Sequence, residues 1–315
     1  MACIGGCREA ALHVRLTLSR VNEQVRDDEG YDIAGGASGL AEADGAAGAQ
    51  RAGGTGETSA AETSGEGEST LRQAAMWLAI AAGGFVLAEA VATVLVVAGQ
   101  AAAGKRGQPI DAYSPRTEIL GLIGIWAGFL VAVAVASRRF GTGRVAHDMG
   151  LRFRRVDILV GPLMGAVGQY ILNPLVYLPF VGHVHDLSKR LSAPARHLTS
   201  GFPGADLTIL AVLVVGVVPV VEELFFRGLL FASLLRLGER LGPRLGPLAA
   251  IVVGGVLFGL AHVEGLQLAG LAAFGILLCA VAYKTRRIGT TILAHATYNL
   301  LAVLAIARTT GHLAR

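Results

Sequence analysis

Seven long apolar segments follow Thr70, and they constrain the fold of this 315-residue chain more than any other feature. A helix needs about 20 mostly apolar residues to cross the roughly 30 Å hydrocarbon core of a bilayer. Such a helix satisfies its own backbone hydrogen bonds, which an open sheet in lipid cannot do. The sequence therefore predicts an all-α, polytopic transmembrane bundle of about seven spans. These spans are predicted at Ala74–Ala103, Glu118–Ala136, Val156–Val181, Asp206–Leu235, Pro247–Val263, Leu266–Tyr283 and Gly289–Ala307.

The composition excludes an ordinary soluble enzyme. Apolar residues make up 53% of the chain and charged residues only 16%, whereas soluble domains carry about 25% charged residues. Residues 1–70 differ from the rest, because they hold 5 basic and 12 acidic side chains and consist mostly of small and polar residues after Gly30. Such a segment cannot bury enough apolar surface to offset its ordering entropy. Residues 1–70 are therefore predicted to form a disordered, acidic N-terminal tail.

The basic residues indicate how the chain lies in the membrane. Lys and Arg concentrate in short cytoplasmic loops of membrane proteins, and the loop 137–155 holds six: Arg138, Arg139, Arg144, Arg152, Arg154 and Arg155. The clusters that follow the fourth and sixth spans fall on the same side when the spans are counted: Arg236, Arg240 and Arg244, then Lys284, Arg286 and Arg287. The N-terminus of this multi-pass cell-membrane protein is predicted to be cytoplasmic and the C-terminus outside. Basic clusters between apolar segments indicate a lipid bilayer as partner and not nucleic acid.

Three acidic residues fall inside the predicted spans and away from the span ends: Glu89, Glu222 and Glu223. An ionisable group in hydrocarbon costs about 3 kcal/mol on the insertion scale and by default marks a function. Glu223 and Arg227 are i,i+4 neighbours with the acid first, which favours an ion pair. Glu222 points about 100° away from Glu223 on a helix, so Arg227 does not neutralise it equally and it could exchange a proton. A purely structural ion pair between helices is the alternative for Glu223 and Arg227.

Two further polar sets lie on later spans. Phe258 and His262 share one helix face by their spacing, and His295 and Asn299 share another. His295 and Asn299 can both donate hydrogen bonds to a developing negative charge. A single intramembrane His is often only an interhelical hydrogen-bonding group. Together, however, the three sets predict one polar site built from three spans.

The motifs Glu-Glu-x-x-x-Arg, Phe-x-x-x-His and His-x-x-x-Asn, in this order on successive spans, resemble the CPBP (CAAX protease and bacteriocin-processing) family. That family contains the type II CAAX prenyl endopeptidases and the bacterial Abi proteins. The resemblance covers roughly Asp206–Ala302. It implies a protease core at residues 206–308, preceded by three spans at residues 71–205 that carry no part of the motifs.

The resemblance implies a membrane-embedded, CAAX-type endopeptidase acting on a lipidated or transmembrane peptide. Glu222 and His262 would activate a water molecule, His295 and Asn299 would stabilise the oxyanion, and Glu223 and Arg227 would hold and tune Glu222. Members are often named metalloproteases, and Glu222, His262 and His295 would supply acceptable ligands for a divalent metal such as zinc. A metal-free glutamate mechanism stays equally open, since the signature His-Glu-x-x-His is absent from the sequence. Prenylated proteins, bacteriocin precursors and leader peptides all remain open as substrates.

Two other classes of function stay open. One is a non-catalytic membrane protein that binds a partner and keeps the motif for its structure. The other is a proton-coupled transporter, since buried Glu and His also form proton relays, although the hydropathy shows no inverted repeat of the kind transporters have.

Straight, untilted helices pose a difficulty for a shared site. At 1.5 Å per residue, Glu222 would lie about 21 Å from the end of its span at Arg236, and His262 about 24 Å from Gly246. His295 would lie only about 10 Å from Ile288. Convergence of the three motifs requires a tilt, a break at Pro219 or a short last span.

Overall fold

The computed structural model describes residues 56–104, 115–200, 204–262 and 265–309, and it contains no strand in these ranges. The α-helices are α1 (Gly56–Ala102), α2 (Pro115–Phe140), α3 (Val145–Asp148), α4 (Asp157–Val167), α5 (Asn173–Tyr177), α6 (Leu187–Ser200), α7 (Gly204–Val212), α8 (Val218–Glu223), α9 (Ala232–Gly238), α10 (Leu245–Leu260), α11 (Leu268–Thr285) and α12 (Gly289–Thr309). Stretches of π-helix at Gly168–Leu172, Leu213–Val217 and Leu224–Phe231 join consecutive α-helices, and 3-10 turns follow at Leu178–Phe180 and Glu239–Leu241. The predicted all-α fold is confirmed.

Six helical stretches in the described ranges are long and apolar enough to cross a membrane: Ser69–Ala102, Arg116–Phe140, Asp157–Phe180, Thr208–Leu260, Leu268–Thr285 and Gly289–Arg308. The fourth has 53 residues, which would extend about 80 Å as one helix. It is divided at Gly242, whose φ of 87° is readily adopted because glycine lacks a Cβ. Thr208–Leu260 therefore contains two of the seven predicted segments, and the protein is a multi-pass membrane protein.

Most of the predicted disordered tail, residues 1–55, lies outside the described residues. The structure differs from the prediction at residues 56–70, which continue α1 toward the N-terminus. Adding turns to an existing helix avoids the unfavourable nucleation step, and Ala60, Ala61 and Glu62 have high helix propensity.

The helices change geometry at three prolines within the spans. Pro174 lies in the first turn of α5 after a π-helical stretch, Pro179 lies in the following 3-10 turn, and Pro219 lies in the first turn of α8 after another π-helical stretch. Proline lacks the backbone N–H that would continue the regular ladder.

The segment ending in α9 and the helix α10 form an antiparallel hairpin. A Cβ at Gly238 would collide with the backbone of Gly246, and further along the hairpin the rings of Phe226 and Phe258 meet edge to face at 5.1 Å. Because the two arms are antiparallel, a residue far before the turn on one arm faces a residue far after the turn on the other. Glu222 and His262 therefore lie at the same height, although each is far from the turn.

The helix α12 begins deep in the bundle. Gly228 packs against Met149, and the N–H of Ile288 donates to the carbonyl of Gly150 over 3.0 Å. Because Met149 and Gly150 are consecutive, Ile288 lies beside Gly228 and not beside Arg236. His295, two turns further along, reaches the height of Glu223, which resolves the difficulty that straight helices posed.

The loop between the second and third spans is organised by Asp148. Its carboxylate accepts hydrogen bonds from the Ser137 hydroxyl at 2.5 Å and from the Thr142 N–H and hydroxyl at 3.1 and 2.7 Å. Burial raises the pKa of Asp148, but these hydrogen bonds outweigh the burial and hold the pKa below its usual value. The loop is thereby fastened to the end of α2.

Candidate active site

Glu223 joins α12 to the segment that contains α8. Its Oε1 lies 2.7 Å from Arg227 Nη1, and both side chains are fully buried. The same oxygen lies 3.0 Å from Nδ1 of His295. The ion pair predicted from the i,i+4 spacing is present. A buried pair of this kind leaves a strongly unfavourable lone charge when one partner is removed.

Glu222 lies in a different environment from its neighbour. Its side chain is 15% exposed, and its Oε2 lies 4.0 Å from Nε2 of His262 and 3.9 Å from Nε2 of His295. That buried oxygen accepts no hydrogen bond from any residue that the structure describes. Separations near 4 Å are too long for direct hydrogen bonds and match the spacing that a bridging water fills.

The Nδ1 atom of each imidazole faces a hydrogen-bond acceptor. Nδ1 of His262 lies 2.9 Å from the carbonyl oxygen of Phe258, and Nδ1 of His295 faces Glu223. An acceptor at Nδ1 places a proton there, so that a neutral ring presents a lone pair at Nε2. When both rings are neutral, three acceptor atoms converge on one point, where a water can donate both of its hydrogens; when His295 is doubly protonated, its Nε2 donates instead.

Phe258 fixes the orientation of the surrounding groups. Its buried ring meets His262 and His295 edge to face at 4.8 and 5.7 Å, and the guanidinium carbon of Arg227 lies 4.3 Å from its centroid. The ring of Phe274 meets His295 at 5.9 Å. These apolar walls strengthen electrostatic interactions inside the site by keeping bulk water away.

Asn299 lies one turn beyond His295, where its Nδ2 donates to the carbonyl of Val214 over 2.9 Å. In π-helical geometry the N–H of residue 219 would serve that carbonyl, but Pro219 has none. The amide of Asn299 therefore replaces a missing backbone donor. Since an amide group carries two N–H donors, one more can serve a ligand.

Five of the predicted site residues come together, namely Glu222, Glu223, Arg227, His262 and His295, whereas Asn299 contacts Val214 one turn beyond His295. The predicted metal-ligand set fits less well. The ligands of a tetrahedral zinc ion lie about 3.4 Å apart, closer than Glu222 lies to either His262 or His295. Within the described ranges, no group of three or more His, Cys, Asp and Glu side chains is arranged to hold a metal ion. No reaction step is therefore derived through a metal.

Two supporting residues escaped the sequence reasoning. Phe274 lies in a uniformly apolar segment and gives no signal. Asp157, at the start of α4, forms its contacts with residues some 130 positions away. The sequence offers two signals: Asp157 closely follows a basic loop, and Arg287 precedes α12 without an acidic partner nearby in the sequence. Nothing in the sequence indicates that these two residues pair. No described contact links Glu89 to the site.

The comparisons agree with the motif positions. Residues 204–301 match the family model described as type II CAAX prenyl endopeptidase Rce1-like, which nearly coincides with the segment Asp206–Ala302 recognised from its motifs. Neither a curated protein nor a solved structure matches the chain. The family comprises membrane proteases, which hydrolyse peptide bonds, and the predicted resemblance is confirmed: residues 204–301 of this multi-pass membrane protein are similar to the Rce1-like type II CAAX prenyl endopeptidases.

Proposed function

We propose that this protein is a CAAX-type intramembrane endopeptidase that cleaves a lipidated or membrane-embedded peptide. One observation carries the proposal: an oxygen of Glu222 that accepts no hydrogen bond from the described residues faces the Nε2 atoms of His262 and His295 within 4.0 Å, inside the Rce1-like segment. A water molecule bound at this point would contact a base and two orienting groups at once.

The reaction begins with that water between Glu222 and His262. Glu222 accepts one of its protons while the water oxygen attacks the peptide carbonyl carbon, which forms a tetrahedral intermediate with negative charge on the former carbonyl oxygen. His295, protonated at Nε2, and the second N–H of Asn299 donate to this oxyanion. When the intermediate collapses, the C–N bond breaks and Glu222 returns its proton to the leaving amine.

Glu223 and Arg227 support this chemistry without touching the substrate. The carboxylate of Glu223 accepts the Nδ1 proton of His295 and so orients the ring with Nε2 toward the oxyanion. Arg227 keeps Glu223 ionised in surroundings that exclude water. In this proposal residues 206–308 form the protease core, residues 71–205 supply spans without catalytic groups, and the N-terminus lies in the cytoplasm.

The test compares peptide termini in cell membranes that contain wild-type protein, Glu222→Gln or Glu89→Gln at matched expression. Glu89→Gln is the matched control, because it removes another intramembrane carboxylate outside the site. We expect new termini with wild type and Glu89→Gln, and none with Glu222→Gln. Termini that persist in Glu222→Gln would refute the glutamate mechanism.

A second arm separates a protease from a binding protein and from a metalloenzyme. Identical termini in all three membranes, with partner proteins still co-purifying, would establish a non-catalytic binding role. Cleavage that disappears after exhaustive treatment with a chelator, and returns with added zinc, would contradict the metal-free step.

A further inference from the structure

Asp157 is fully buried at the first residue of α4 and accepts four hydrogen bonds or more. Its Oδ1 accepts from Arg287 Nη2 at 2.7 Å and from the Thr290 hydroxyl at 2.6 Å, and its Oδ2 accepts from Arg287 Nε at 3.1 Å and from the N–H of Arg154 at 2.7 Å. The paired contact with one guanidinium is the geometry that fixes both distance and direction.

These bonds reach the residues that begin α12. Arg287 precedes the helix by two positions and also donates from Nη1 to the carbonyl of Thr285, the last residue of α11. Thr290 lies in the first turn of α12. Asp157 therefore ties the start of the third span to the start of the helix that carries His295.

The remaining contacts between α4 and α12 are van der Waals contacts, which do not fix a direction as hydrogen bonds do. Gly161 and Gly165 lie against the backbone and Cβ atoms of α12 between Thr290 and Tyr298. Glycine contacts of this kind allow close approach through van der Waals packing, but a helix can turn or slide along a smooth surface at little cost. Among the bonds that fix the rotation and height of α12, Asp157 supplies the directional ones from α4, at the start of the helix.

We propose that Asp157 is a positioning residue of the candidate active site: by binding Arg287 and Thr290 it sets the placement of α12, and hence the position of His295 between Glu222 and Glu223. This inference rests on the proposed function. His295 lies five residues beyond Thr290, and its two nitrogens must hold distances of 3.0 and 3.9 Å to two different carboxylates.

The test uses the full chain in nanodiscs with Asp157→Asn and Arg287→Lys. Asp157→Asn removes the charge, and Arg287→Lys keeps the charge but loses the fork that binds both oxygens. We expect kcat to fall about 100-fold for Asp157→Asn, the effect of a displacement near 1 Å, and KM to change less than about twofold. The probe is a fluorogenic peptide spanning a junction found by the terminus comparison. Arg287→Lys also covers the case in which Asp157→Asn fails to fold.

Asp148→Asn is the matched control, because Asp148 is another buried aspartate of the same loop that is bonded to Ser137 and Thr142 instead of α12. We expect its kcat to stay near that of wild type. Hydrogen exchange gives a readout independent of catalysis: Asp157→Asn should accelerate exchange at residues 288–295, and Asp148→Asn only at residues 141–148.

Two results would overturn the positioning role. One is a wild-type kcat in folded Asp157→Asn and Arg287→Lys. The other is a loss of activity in Asp148→Asn that matches the loss in Asp157→Asn, which would indicate general destabilisation. The proposed function fails separately, when Glu222→Gln retains cleavage or wild type cleaves nothing.

Discussion

At the scale of single residues, the two adjacent glutamates have different environments because successive helix positions face about 100° apart. Glu223 is fully buried between Arg227 and His295, whereas Glu222 is partly exposed and lacks a direct hydrogen bond at one oxygen among the described contacts. The first arrangement joins α12 to the segment that contains α8, and the second is the one that the proposed reaction uses.

This difference predicts opposite effects on stability and activity. Replacing Glu223 by Gln leaves the Arg227 charge buried without its carboxylate, and we expect the free energy of unfolding to fall by about 3–5 kcal/mol. Glu222→Gln should change it by less than about 1 kcal/mol while abolishing cleavage. Denaturant titration in detergent micelles measures both variants, and equal losses would contradict the assigned roles.

The Glu223–Arg227 pair was predictable because both partners lie on one helix at a fixed spacing. The bond from His295 to Glu223 and the bond from Asn299 to Val214 join residues 72 and 85 positions apart. Helix periodicity indicates which face of its own helix each side chain lies on. It does not indicate which neighbouring helix that face contacts. The motifs therefore predict a set of site residues, and the tertiary structure is needed for their partners.

At the scale of helices, small residues decide how closely the spans approach. A Cβ at Gly165 would lie 2.8 Å from Cβ of Thr297 and would collide with the carbonyl of Ala294, whereas a Cβ at Gly83 meets nothing within 4 Å. We expect Gly165→Val to lower the free energy of unfolding by about 1–3 kcal/mol through overpacking. Gly83→Val, also within a span, is the control and should unfold like wild type.

The junction between α11 and α12 contains a strained residue. Arg286 ends α11 with φ of 52°, a left-handed conformation that costs a residue with a Cβ roughly 1–2 kcal/mol. Arg286→Gly should therefore raise the melting temperature. Lys284→Gly removes the same charge from within the helix and should lower it, because glycine disfavours helix. Differential scanning fluorimetry compares the two, and a lowered melting temperature for Arg286→Gly would contradict the strain.

The positions of the helices along the chain were predictable from the apolar segments, but the depths at which the helices lie in the bundle were not. Apolar length indicates that Gly289–Ala307 crosses the membrane, yet the depth at which α12 begins is set by Gly228 packing on Met149 and by Ile288 binding Gly150. Two loops and the π-helical stretch Leu224–Phe231 meet at that point, and no single segment of sequence encodes their meeting. Straight helices that all began at the same height would leave the three motifs at different depths.

At the scale of the whole molecule, the proposed orientation can be tested through two exposed positions on opposite sides. Arg144 lies in the basic loop, and the side chain of His185 is 97% exposed in the loop before α6. In a chain whose own cysteines are replaced, we expect His185→Cys to react with a membrane-impermeant maleimide in intact cells. Arg144→Cys should react only after permeabilisation. The reverse pattern would invert the proposed topology.

The short helices of the Rce1-like domain have a consequence for the surrounding lipid. The helix α10 has 16 residues and α11 has 18, which correspond to about 24 and 27 Å, less than the roughly 30 Å of an average hydrocarbon core. A bilayer accommodates such a mismatch by thinning. We expect cleavage to be faster in dimyristoleoyl-phosphatidylcholine than in dierucoyl-phosphatidylcholine nanodiscs, and equal rates would show that membrane thickness has no influence. In the proposed reaction, a thinned patch would shorten the distance that water and a peptide end travel to reach Glu222, which would make membrane thickness a determinant of the cleavage rate.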